Sequence, residues 1–161
     1  MARLGDLSLA RPSLRRSVAV GSLAAAAYLA EQTADMKLVS NRYDDLVLWG
    51  GFFSRQPARQ RLIGGTIHLT LGIGLAAAYQ ASLPLLPAWP GWLRGVAFAQ
   101  AENAVLYPGV PVLNALHPSV RSGRLPSLLT WRYYWVEIVR HVAYGVVLGA
   151  LTPSAARRDK Q

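Results

Sequence analysis

The fold class that the sequence predicts is all-α: an integral membrane four-helix bundle with one extra short interfacial helix. Three observations predict it. Hydrophobic residues make up 52% of the 161-residue chain and charged residues only 16%, against about 25% charged in ordinary soluble domains. Between Leu62 and Leu93 there is no Asp, Glu, Lys or Arg for 32 residues, a gap that a water-facing helix does not sustain. Apolar stretches recur four times along the chain, at lengths near the roughly 20 residues that cross a bilayer. The length is that of a single domain. No repeat, low-complexity tract or linker divides it.

The first segment, 14–34, starts behind Arg11, Arg15 and Arg16 and holds an uncharged stretch from Ser17 to Ala30. A basic start before a short apolar run also fits a signal peptide. Against cleavage, Glu31 and Asp35 continue the helical register. The second segment, 62–83, is bounded by Arg61 and by Pro84 and Pro87, and it is rich in Gly and Ala. Small residues let helices approach closely where packing replaces the hydrophobic drive. The third segment, 92–110, carries Gln100, Glu102 and Asn103 and runs into Pro108 and Pro111, which stop or kink a helix. The fourth, 131–151, opens on Trp131, Tyr133, Tyr134 and Trp135, as an interfacial aromatic belt does. It contains a Gly145/Gly149 pair, and Arg157, Arg158 and Lys160 follow it. Between the first two spans, 43–54 reads as an interfacial amphipathic helix, with Asp44 and Asp45 at its N-terminus. A buried loop helix is the alternative.

The net charge is +9, and 15 of the 17 basic residues are arginine. The arginines fall between apolar segments rather than along one face. This placement suits anionic lipid headgroups, and no nucleic-acid-binding motif is present. The expected partners are therefore the bilayer and its anionic headgroups, and other membrane subunits or further copies of the chain, with no nucleic acid. The expected location is the cell membrane, as a multi-pass protein of a bacterial cytoplasmic membrane. Counting basic residues on the two sides gives eight against eight, so the positive-inside rule leaves the orientation open. There is no cysteine, which excludes disulfides and thiolate chemistry.

An ionisable side chain in hydrocarbon is costly and tends to face a bundle interior. Each span carries one. Counted from the basic residues at their segment ends, His68 and His141 lie at similar depth, and Glu31, Glu102 and Asn103 fall in the same half of an antiparallel bundle. Glu137, His141 and Tyr144 form one helical stripe, and Tyr28, Glu31 and Asp35 another. The predicted buried polar site is Glu31, His68, Glu102, Asn103, Glu137, Arg140 and His141. Asp35 is expected at the water interface, and Arg140 is expected to pair with Glu137 or Glu102.

The pattern points first to a non-enzymatic accessory, scaffold or ligand- or lipid-binding protein. No HExxH, phosphate-cradling glycine loop or nucleophile elbow is present. A haem between His68 and His141, or a metal ion on His68, Glu102, Glu137 and His141, is the second reading. The ferritin-like pattern would need Glu-x-x-His on two helices; here Glu137 and His141 are four apart and the pattern occurs once. A proton or small-solute transporter subunit is the third reading. An intramembrane enzyme for lipid-like substrates, with Glu102 or Glu137 as base, is the fourth.

Overall fold

A computed structural model of the chain describes residues 12–152. The basic residues Arg3, Arg11, Arg157, Arg158 and Lys160 lie outside the described residues. Among those described, the regular structure is helical throughout. The helices are α1 (Leu14–Leu38), α2 (Asp45–Gly50), α3 (Pro57–Ser82), α4 (Gly91–Leu106), α5 (Val110–Leu116), α6 (Pro118–Arg121) and α7 (Trp131–Leu151). Two 3₁₀ turns, Leu83–Leu85 and Tyr107–Gly109, extend α3 and join α4 to α5.

Local chemistry fixes several ends. Pro57 occupies the first turn of α3, where its missing N–H costs nothing, so this helix starts five residues before the expected 62. Thr130 caps α7 by accepting from the Tyr133 N–H, and Asp44 caps α2 by accepting from Leu46 and Val47. Two expectations are corrected. The third segment stops as an α-helix at Leu106, and Pro108 sits in the turn that follows rather than inside a helix to 110. The helix expected over 43–54 is only Asp45–Gly50, and it buries Asp45, Leu48 and Gly50 against the bundle. It is inserted, not laid on a surface.

Among the described residues, one helical run, Pro57–Leu85, is long and apolar enough to cross a membrane by length and composition. Glu137, Arg140 and His141 interrupt α7, and α4 has only 16 residues. Apolarity alone therefore singles out one span where four are expected.

Helix α4 packs on α7, α7 on α1, α1 on α3, and α2 on α3. The closest approaches are made by glycines. A Cβ at Gly145 would come within 2.6 Å of the Val96 backbone, and one at Gly21 within 2.6 Å of the Gly72 carbonyl. A Cβ at Gly64 would collide with the backbone of Leu46, so this glycine is what lets α2 lie against α3. Helices α3 and α4 have no comparable interface. They meet where Tyr79 packs on Phe98, ring centroids 5.3 Å apart.

Two apolar clusters stack along α7. Tyr133 joins Tyr43, Leu48, Val110, Leu125 and Leu128 in one, and Tyr144 and Leu148 join Val20, Ala24, Ala76 and Ala99 in the other. Glu137, Arg140 and His141 lie between the two along α7, so a polar layer separates them.

Candidate functional site

The polar layer has two sides, and the α7 helix turns a different residue to each. Arg140 points into the junction of α1, α2 and α7 and is fully buried. A guanidinium has five N–H donors, and each has an acceptor here. Nε and Nη2 donate to the two carboxylate oxygens of Asp35 at 2.9 and 3.0 Å. Nη1 donates to Asp45 at 2.7 Å and to Gln32 Oε1 at 3.2 Å. The second Nη2 proton goes to the Tyr43 carbonyl at 2.8 Å. Glu31 and Glu137 stand farther off, at 3.7 and 3.9 Å. Of the two expected partners of Arg140, Glu137 stands at the edge of ion-pair distance and Glu102 pairs with His141 instead, while Asp35 and Asp45 hold the guanidinium by hydrogen bonds. Asp35 leaves its expected place at the water interface, its side chain 9% exposed.

On the other side a cavity of about 450 Å³ lies between α3 and α4. Tyr28, Glu137, His141 and Tyr144 from α1 and α7 form its floor, and Leu48 and Trp49 of α2 and Val110 and Leu113 of α5 close one end. Leu71 and Leu106 line the gap between α3 and α4 and are 45% and 59% exposed, which marks the mouth. The walls are mainly aliphatic and aromatic, and the polar groups gather at one end: His68, Glu102, Asn103, Glu137 and His141, with Asp45 and Tyr28 behind them.

Proton bookkeeping at this end is tight. His141 Nδ1 sits 2.7 Å from the Glu137 carbonyl. A carbonyl only accepts, so Nδ1 carries a proton. Nε2 lies 3.1 Å from the Glu102 carboxyl, and a proton shared between the two makes that contact. The Tyr28 hydroxyl lies 2.7 Å from Asp45 Oδ2 and 3.0 Å from Glu137 Oε2. It has one proton for two carboxyl groups. Among the described residues, five buried polar atoms lack a hydrogen-bond partner, and two of them belong to residues that line the cavity: His68 Nε2, and Glu137 Oε1, which faces Arg140 Nη1 at 3.9 Å. Buried polar atoms in folded proteins are nearly always satisfied, so His68 Nε2 is an exception at the cavity wall.

The predicted site residues therefore divide. His68, Glu102, Asn103, Glu137 and His141 line the cavity, while Arg140 and Glu31 belong to the knot behind it. Asp45, Gln32 and the Tyr43 carbonyl were not foreseen from sequence as partners of Arg140. The signal for Asp45 was the Asp44–Asp45 pair ahead of an apolar stretch, but only Asp44 serves as the helix cap.

A haem bridging the two histidines does not fit. Both His141 ring nitrogens are engaged, and the Tyr28 ring packs on both imidazoles, 4.7 Å from His68 and 5.4 Å from His141. Among the described residues, no three His, Asp or Glu side chains converge as a metal-ligand set. In class, the molecule is an all-helical protein with an ionic knot around Arg140 and an adjoining, mainly apolar cavity. No protein-family model, curated protein or solved structure matches the chain.

Proposed function

We propose that this is a small multi-pass membrane protein that binds an amphipathic, lipid-like ligand in the α3–α4 cavity without transforming it. The carrying observation is a mainly apolar cavity with Glu102, Glu137 and His141 gathered on its lining beside His68, whose buried Nε2 lacks a hydrogen-bond partner. The volume falls within the roughly 300–1,000 Å³ typical of small-molecule sites. The ligand's polar head meets these groups, and its tail runs past Leu71, Leu75 and Leu106 to the mouth.

The distribution of polarity supports a bilayer setting. On α7 the exposed positions include Trp135, Val139, Val142 and Val146, whereas Glu137 and Arg140 are buried. On α1 the exposed Val18 and Leu23 contrast with the buried Ser17, Tyr28 and Gln32. Apolar outside and polar inside reverses the pattern of a water-soluble helix. It supports reading α1, α3, α4 and α7 as the four crossings, with the charges on α7 tolerated because they are paired inward. The exposed Arg42, Arg55, Arg59, Arg61, Arg121, Arg124 and Arg132 all belong to the α1–α3 and α4–α7 connections or their edges, where they meet anionic headgroups.

Two measurements test this reading. The expressed chain should stay with membranes through alkaline carbonate washing; release into the supernatant would remove the bilayer setting. Native mass spectrometry of protein purified in maltoside should show a retained amphiphile, and Leu71→Trp, which narrows the mouth at an exposed position, should lose it. Equal retention by the variant would move the ligand out of this cavity.

A further inference from the structure

The chemistry of the cavity's polar end also specifies the ligand's head. Five carboxyl groups cluster in the polar layer: Glu31, Asp35, Asp45, Glu102 and Glu137. Four approach Arg140 within 4 Å, and Glu102 approaches His141. Arg140 is the cation of the knot, and among the described residues the basic side chains that line the cavity are His68 and His141. Acid is therefore in surplus where water is sparse. Unbalanced buried charge is costly, so it must be offset by protons or by a cation.

The lining also holds Tyr28, Trp49, Tyr107, Tyr133 and Tyr144. Aromatic faces attract ammonium groups, most strongly where water is excluded. Glu137, only 7% exposed, lines the same space with Oε2 beside Tyr28 and His141, and the unpartnered His68 Nε2 lines it too. Carboxylates among aromatic rings form a poor place for an anion and a good one for a positively charged nitrogen.

We propose that the cavity selects amphiphiles bearing an ammonium head, held by Glu102 and Glu137 within the aromatic lining. This rests on the amphiphile-binding reading above. The ammonium belongs either to a simple long-chain amine or to a zwitterionic phospholipid head.

The test is binding of four twelve-carbon probes to the full chain in uncharged maltoside micelles, read by thermal shift and by native mass spectrometry. The probes are dodecyltrimethylammonium, dodecylphosphocholine, dodecanol and dodecyl sulfate. The ammonium probe should bind about tenfold or more tighter than dodecanol, which corresponds to about 1.4 kcal/mol, and dodecyl sulfate should bind weakest. Phosphocholine binding on a par with the simple ammonium assigns the phospholipid head; weaker binding assigns the amine. In Glu137→Gln the preference for ammonium over dodecanol should fall about tenfold. Glu102→Gln, at a partly exposed position, gives the same readout if the first variant folds poorly. Dodecanol equal to the ammonium would overturn the head assignment and leave the amphiphile reading standing. No saturable binding by any probe would overturn both. A preference for dodecyl sulfate, or an unchanged preference in both variants, would also overturn the head assignment.

Discussion

Arg140 and His141 are neighbours in the chain, yet they serve opposite sides of the polar layer. Arg140 has five donors and five acceptors and no exposure. Its surroundings are complete, and a complete buried network rigidifies and specifies a structure. One residue on, His141 borders the cavity, where His68 Nε2 has no hydrogen-bond partner. Buried polar groups thus stand in two settings in this protein. Those hydrogen-bonded to Arg140 join α1, α2 and α7; those on the other side line an open space. The comparison predicts that substitutions in the knot cost stability, and that substitutions at the cavity cost binding.

Arg140→Met should produce the largest effect. It leaves Asp35 and Asp45 buried without their cation, and breaking a buried pair on one side typically costs about 3–5 kcal/mol. Thermal or denaturant unfolding in detergent measures it; a loss under about 1 kcal/mol would show that the knot is not what joins the helices. Tyr28→Phe comes next, because its hydroxyl links the two sides through Asp45 and Glu137. A loss of about 1–3 kcal/mol is expected from stranding a buried acceptor. Glu102→Gln should change stability least of these three, within about 1 kcal/mol, since its partner lies at the partly open side of the layer. If it destabilises as much as Arg140→Met, the division between knot and cavity fails.

The smallest effect concerns pH. His117 is buried beside α2; its Nε2 donates to the Leu48 carbonyl at 2.6 Å and its Nδ1 accepts from the Ser119 N–H at 3.1 Å. Burial pushes its imidazole below the ordinary value of 6.5. A proton on Nδ1 would remove the acceptor for Ser119. The unfolded chain takes up the proton first as pH falls, so this contribution is whole above pH 6.5 and declines below it until the lower native value is reached. Because Leu48 lines the cavity, the decline should loosen that end before the α4–α7 interface. Unfolding measured from pH 7.5 to 5.5 should show a shallow slope that His117→Gln flattens; an identical slope in the variant assigns it to another group.

Much of the layer was legible in the sequence. The distances from Arg61 to His68 and from Arg132 to His141 place both histidines at one depth, because helical rise is constant. The stripe Glu137, His141, Tyr144 follows from the 3.6-residue period in the same way. The partner of Arg140 was not legible. It depends on how a six-residue helix folds back, and that depends on backbone contacts at Gly64 and Gly50. Asp45 therefore looked like a second helix-capping acid when it is the counter-ion of the core. Asp35 was misplaced for a related reason. Its position near the end of α1 suggested water, but Arg140 of α7 and the Asn41 amide from the following loop hold its carboxylate.

The separation of α3 from α4 has a consequence for how occupancy is counted. A mouth lined by Leu71 and Leu106 opens sideways from the bundle. In a bilayer, a ligand entering there arrives from the lipid phase, and its relevant concentration is a mole fraction among lipids. Diluting vesicles with buffer should then leave the bound fraction unchanged, whereas fusing them with ligand-free vesicles should lower it. Selectivity would be decided in competition with the surrounding lipids, each present in great excess.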